Sequence, residues 1–195
     1  PVLLQEQNSF PGITNRLLAK KASTICVAYD NMESFFPGAS IIKTGNPVRK
    51  ELENIKVNKK EAREYFGFDK ESLTILVIGG SQGALSINKA VEKHLDEFTA
   101  KSYQILWQCG SMYYEKAKKA AAPMGKQVIV KEFIKEMDMA YACADMVVSR
   151  AGAIAISELA IAGKAVIFIP LPTAAADHQK KNALALAEKN AAVLV

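Results

Sequence analysis

The sequence predicts an α/β fold: a parallel sheet with helices on both faces. Three observations carry this. From Leu73 onward, short apolar runs alternate with segments whose apolar residues recur at a helical period. The apolar runs are continuous rather than alternating, as in strands covered on both sides. The first of them ends in Gly79-Gly80-Ser81-Gln82-Gly83 and passes straight into an amphipathic segment, the pattern of a strand, a tight turn and a helix.

Taken in order, residues 2–4 read as a strand end and 11–22 as a helix with Pro11 near its start. Residues 24–30 form a short strand, and another lies within 40–49 ahead of the turn signal Gly45-Asn46-Pro47. A charged helix over 58–66 is closed by Gly67. We place a domain boundary near 44–47. Strands are then expected at 73–79, 103–108, 127–131, 145–149, 165–169 and 191–195. The helices between them cover 84–100, 112–122, 136–143, 153–162 and 177–189. In 84–100 the inward face is Ile87, Val91, Leu95 and Phe98. Strict alternation implies right-handed crossovers and a Rossmann-like sheet, which binds ligands beyond the carboxyl ends of its strands.

Composition narrows the function classes. The 195 residues are 50% hydrophobic and 23% charged, a folded composition. No apolar stretch reaches the ~18 residues of a bilayer span. The net charge of +5 suits a phosphate-bearing partner. The Lys-rich pieces at 56–63 and 116–119 lack interleaved aromatics and read as solvated faces, so no nucleic-acid partner is inferred. Cys26, Cys109 and Cys143 are isolated and read as buried thiols; His94 and His178 stand alone, and no metal site or cofactor is expected. Both ends read as interior to strands, so the chain is expected to be part of a longer protein.

Four segments carry chemistry. Gly79 to Gly83 puts backbone N–H groups at a helix start, with Ser81 adding a hydroxyl. Ile78 occupies the first Gly position of the dinucleotide fingerprint, and no Gly-Lys-Ser/Thr follows, so both an NAD site and a P-loop are disfavoured. A looser diphosphate cradle remains, against a plain tight connection. Residues 147–163 repeat the plan, and their helix carries one charge, Glu158, about a turn beyond an anion-binding start. A carboxylate there can accept from both ribose hydroxyls of a nucleotide; an exposed or Arg-paired glutamate is the alternative. Asp177, His178, Gln179 and Asn182 open the next helix, either as caps or as readers of sugar hydroxyls. The polar "QEQN" at 5–8 reads locally as a structural loop.

In this order, "EQN-x-x-PG-x-x-NR-x-LA" (6–19), "GNPVR" (45–49), "GGSQGA" (79–84), "EFI" (132–134), "SRAGAIAISEL" (149–159) and "DHQKKNA" (177–183) resemble the MurG family of bacterial N-acetylglucosaminyltransferases. The resemblance implies a GT-B fold of two Rossmann-like domains. Residues 1–44 would end the N-terminal acceptor domain, and 45–195 would form the UDP-sugar-binding C-terminal domain, incomplete at its end. It implies donor contacts at Asn8, Arg49 and Ser81, and at Ile134, whose backbone would meet uracil. Ala153, Ile154, Ala155, Ile156, Ser157 and Glu158 would hold diphosphate and ribose, and Gln179 would read the sugar. Gln5 stands where the family usually has His, and Ala155 where Thr is frequent; Lys180 and Lys181 add positive charge.

The implied reaction moves N-acetylglucosamine from UDP-GlcNAc to the 4-hydroxyl of an undecaprenyl-pyrophosphoryl muramyl pentapeptide, with inversion to a β-1,4 link. This converts lipid I to lipid II at the cytoplasmic face of the bacterial plasma membrane. The catalytic base and the membrane contacts would lie in sequence this chain does not contain, so the chain alone is expected to bind donor but not to catalyse. Rival readings are another UDP-sugar enzyme of this fold, such as a UDP-GlcNAc 2-epimerase, and a non-catalytic nucleotide-sugar-binding subunit.

Overall fold

The computed structural model describes every residue except Asn54, Ala175 and Ala176. The first part of the chain is a small parallel sheet in the order β1-β2-β3, from β1 (Leu3–Glu6), β2 (Thr24–Val27) and β3 (Ile41–Lys43). Ile25, Val27, Met32 and Phe36 form its core. The helix expected over 11–22 is shorter: α1 spans Ile13–Leu18 and tightens into a 3-10 turn at Ala19–Lys21. It buries none of its residues, so little packing sustains a longer helix.

A short helix α2 (Lys50–Glu53), not foreseen from the sequence, anchors itself through buried Leu52. Helix α3 (Lys59–Phe66) starts where Asn58 accepts from the Glu61 N–H at 2.9 Å. It ends where Gly67 adopts φ 81°, the left-handed stop that glycine takes without strain.

The remaining elements build a six-stranded sheet. They are β4 (Thr74–Ile78), α4 (Leu85–Lys93), α5 (Leu95–Ala100), β5 (Gln104–Gln108), α6 (Tyr114–Ala121), β6 (Val128–Lys131), α7 (Met137–Cys143), β7 (Met146–Ser149), α8 (Ala153–Ile161), β8 (Ala165–Phe168), α9 (His178–Ala187) and β9 (Val193–Leu194). The strands lie in the order β6-β5-β4-β7-β8-β9, and all their pairings are parallel. The segment expected as one helix over 84–100 divides at His94, whose backbone (φ −112°, ψ 15°) leaves the helical region. The inward face survives the break, because Ile87, Val91 and Leu95 are all buried and Phe98 packs against them.

Strand alternation divides the core into two layers. On one face of β4, Ile75 and Val77 pack with α4, α5 and α6; on the other, Leu76 and Ile78 pack with α7 and α8. Cys109 and Cys143 are buried as expected, whereas Cys26 is half-buried.

The amino edge of the sheet is closed by its own polar groups. Asp145, just before β7, accepts from the Thr74 N–H at 2.7 Å and from Lys59 at 2.6 Å, and it pairs with Arg63. Burial pushes its carboxyl up, but Lys59, the Thr74 N–H and Arg63 outweigh this and hold it below its ordinary value. Buried Gln104 accepts from the Asp69 N–H at 2.6 Å and donates to the Asp69 carbonyl at 3.0 Å. The carboxyl edge differs. Strand order turns back at β4, between β5 and β7, so a crevice opens there at the carboxyl ends of the strands.

Candidate functional site

The crevice is a cleft of about 720 Å³, a size suited to one small ligand. Its floor is the turn from β4 into α4. Gly80 and Gly83 take φ 84° and 77°, which β-carbons disfavour. Gly79, Gly83 and Gly110 answer to internal packing as well: a β-carbon on Gly83 would collide with the Cys109 carbonyl, and one on Gly110 with the Gln82 carbonyl. Nothing lies within 4 Å of a β-carbon built on Gly80, and the Gly80–Ser81 step lines the cleft. Thus part of the glycine signal serves the close approach of two turns, and part serves the open face. Burial pushes the Cys109 thiol beneath the turn up to about 11, which disfavours its thiolate.

Two helices aim their starts at the cleft. No side chain caps α4 at Ala84 or α8 at Gly152, and both residues line the cavity. Their first-turn N–H groups lack intrahelical partners and favour an anion. Arg150 lies between them. It donates to the Ile169 and Pro170 carbonyls, each at 2.9 Å, and to Ser86 Oγ at 2.8 Å. These acceptors are neutral, and no carboxylate pairs with Arg150 among the described residues. Burial lowers its pKa, and a guanidinium starts so far above neutrality that it remains charged. The cleft therefore offers the Arg150 guanidinium and two helix starts to the same volume.

Glu158, one turn into α8, is 4% exposed. Arg49 Nε lies 3.1 Å from Oε1, and the Tyr141 hydroxyl donates to Oε2 at 3.2 Å. A buried carboxylate so held stays oriented and retains lone pairs for a ligand. Tyr141 is itself buried, and its pKa is raised first by burial and then by Glu158. At the opposite side of the cleft, buried Gln108 ends β5. Its Nε2 donates to the Gly80 carbonyl and its Oε1 accepts from the Ile134 N–H, both at 3.0 Å.

Of the residues expected to contact donor, Arg49, Ser81, Ile134, Ile154, Ala155, Glu158 and Gln179 line this one cleft. Gln179 accepts from the Leu171 N–H at 2.9 Å. The others face elsewhere. Ile156 is in the core. Ser157 Oγ accepts from Asn46 Nδ2 at 3.0 Å, and the Ala153 carbonyl accepts from Ser157 Oγ at 3.1 Å.

Asn8 does not line the cleft. Its amide donates to Glu6 at 3.1 Å and accepts from Asn182 at 2.9 Å. Buried Glu6 organises the rest of "QEQN", accepting from the Asn8 and Gly12 N–H groups and from Asn15. Asn182 is thus a tie between the two sheets rather than a helix cap, and Asp177 makes no side-chain cap either.

Sequence reasoning did not single out Arg150, Gln108 or Tyr141. The available signals were a polar residue closing the apolar run Ile105-Leu106-Trp107 and an arginine directly after β7. Glu158 and Tyr141 are 17 positions apart, and spacing alone does not join them.

Residues 74–195 match the glycosyltransferase family 28 C-terminal domain. A relative from Parabacteroides distasonis is 54% identical over 196 residues, covering 100% of this chain and 53% of its own length. One from Flavobacterium psychrophilum is 50% identical over 193 residues. Both are named UDP-N-acetylglucosamine--N-acetylmuramyl-(pentapeptide) pyrophosphoryl-undecaprenol N-acetylglucosamine transferase. The crystal structure of Acinetobacter baumannii MurG superposes with a TM-score of 0.76 at 33% identity, covering all of this chain and 53% of that one. The chain thus spans about half the length of these relatives. A rice protein, Os79, solved with UDP, shares the fold at 13% identity with a TM-score of 0.66. With its doubly covered parallel sheet, its switch-point cleft and a family match over most of its length, the chain belongs to glycosyltransferase family 28 and has the GT-B architecture.

Proposed function

We propose that this chain is the donor-binding half of an inverting N-acetylglucosaminyltransferase that converts lipid I to lipid II. One observation carries the reading: two uncapped helix starts and the Arg150 guanidinium converge on a cleft that also holds the buried carboxylate of Glu158. A UDP-sugar has the complementary chemistry, a diphosphate beside a diol. The relatives' names supply the sugar and the acceptor.

In this reading the diphosphate sits between Gly80–Ser81 and the start of α8. Glu158 accepts from the ribose hydroxyls, Ile134 meets the uracil and Gln179 meets the sugar. Displacement at the anomeric carbon builds negative charge on the leaving UDP, and the helix starts and Arg150 stabilise it without a metal. The general base that takes the acceptor proton belongs to the part of the protein outside this chain, as do the lipid-acceptor contacts and the peripheral attachment to the cytoplasmic face of the membrane. No nucleic acid takes part. We place the division between the two domains at residues 44–47, between the last strand of the small sheet and the elements packed on the large one.

The test is transfer of labelled N-acetylglucosamine from UDP-GlcNAc to lipid-linked muramyl pentapeptide. The full-length protein is expected to form product, whereas the 195-residue chain binds donor without turnover. Turnover by the chain alone would place the base inside it.

A further inference from the structure

We infer that Tyr141 is a positioning residue for sugar-ring selectivity: its hydroxyl fixes the Glu158 carboxylate in the one orientation that serves two adjacent hydroxyls. The inference rests on reading the cleft as a UDP-sugar site. Tyr141 lies on α7 and is 1% exposed, in the same core layer as Ile156 and Leu159 of α8. Its hydroxyl donates to Glu158 Oε2 at 3.2 Å, and both residues line the cleft.

Glu158 has two holders of unequal grip. Arg49 reaches Oε1 at 3.1 Å from the segment before α2, but its side chain is 46% exposed, so water and a bound anion compete for it. Tyr141 reaches Oε2 from inside the core, where close packing holds a side chain to one rotamer. Burial, and then the neighbouring Glu158, raise its pKa, so at neutral pH it keeps the proton that it donates. Arg49 is thus the exchangeable partner and Tyr141 the fixed one.

An ionised carboxylate has about four acceptor sites. Arg49 takes one on Oε1 and Tyr141 takes one on Oε2, so each oxygen keeps one. Two free acceptors on neighbouring oxygens match the two adjacent hydroxyls of a ribose. Without the phenol, the carboxylate can turn about its terminal torsion, which is broad. It can then satisfy one hydroxyl alone, and a deoxyribose is penalised less. Tyr141 acts through Glu158 and touches no reacting atom.

The experiment titrates UDP and 2′-deoxy-UDP into the full-length protein and its Tyr141→Phe, Arg49→Gln and Glu158→Gln variants, with a thermal melt of each. The unaltered protein should prefer UDP by about tenfold or more, because loss of one hydroxyl leaves a buried acceptor unmatched. Tyr141→Phe keeps the ring and should bring that ratio to about threefold or less, chiefly by weakening UDP. Arg49→Gln should weaken both nucleotides and leave the ratio within about twofold of the unaltered one. In the transfer assay, Tyr141→Phe should raise KM for UDP-GlcNAc with little change in kcat, as expected for a group that serves ground state and transition state alike.

A Tyr141→Phe protein with a lowered melting temperature and an unchanged ratio would make the phenol a packing group and overturn the inference. So would a ratio lost in Arg49→Gln but kept in Tyr141→Phe. If the Phe variant does not fold, the unaltered protein crystallised with UDP decides. The Tyr141 hydroxyl should stay within hydrogen-bond distance of Oε2, and a carboxylate turned away from it overturns the inference. Glu158→Gln separates the two levels: a ratio that survives there refutes the ribose reading itself and takes the inference with it, whereas one lost there and kept in Tyr141→Phe refutes the inference alone.

Discussion

The two ends of the large sheet are built from the same strands and helices but treat their polar groups in opposite ways. At the amino edge, Asp145, Arg63, Lys59 and Gln104 bind one another and the adjoining backbone, so buried charge and amide are matched internally. At the carboxyl edge, the starts of α4 and α8 have no side-chain cap, Ser81 makes no hydrogen bond to the described residues, and Arg150 meets only neutral acceptors. Capping residues common at helix starts are missing where they would block an anion. One edge holds the fold together, and the other leaves matched donors for a ligand to complete. Stability and binding should therefore respond to different substitutions.

The largest effect is expected at the amino edge. Asp145→Asn leaves buried Arg63 without its carboxylate and should cost about 2–3 kcal/mol in denaturant unfolding, less than a fully buried pair because a quarter of the Asp145 side chain is exposed. UDP affinity should not change. The same carboxylate gives a pH dependence. Its native pKa is held below the ordinary 3.8, so its contribution is complete above that value and fades as pH falls through the lowered native one. Acid unfolding followed by circular dichroism should be steeper in the unaltered chain than in Asp145→Asn.

Next in size is Glu158→Gln, expected to weaken UDP binding by about 1–3 kcal/mol in titration calorimetry, the scale of disturbed charge-assisted hydrogen bonds. Arg49 is half-exposed and water can replace its partner, so the cost in stability should be smaller. Smallest is Ser81→Ala, at about 0.5 kcal/mol of UDP binding, because the backbone N–H groups of the turn remain. A larger loss at Ser81 than at Glu158 would reverse the assignment of the main ligand contact.

Much of this division was legible in the sequence. Continuous apolar runs ending in small residues gave the strands and turns from Leu73 onward, because both faces of each strand are covered and periodicity then marks the helices cleanly. The first 70 residues were less legible. Helix α1 is exposed, and α2 is a single turn fixed by Leu52, so tertiary contact rather than local pattern decides them. In the cleft, Glu158 and Gly79–Gly83 stood out because a lone charge in an apolar helix and a glycine cluster are local anomalies. Gln108 and Tyr141 did not, since their meaning comes from partners brought in by strand order and helix packing. The motif segments mix both kinds of residue: in 153–158, Ile154, Ala155 and Glu158 face the cleft, while Ile156 packs in the core and Ser157 bonds Asn46.

The central claim, that the carboxyl edge is a UDP-sugar site organised by Glu158, is tested most directly by a crystal structure of this chain with UDP-GlcNAc. The account predicts diphosphate oxygens at the starts of α4 and α8 beside Arg150, both ribose hydroxyls within hydrogen-bond distance of Glu158, and uracil beside Ile134. A nucleotide bound outside this cleft, or one inside it whose ribose avoids Glu158, would contradict it.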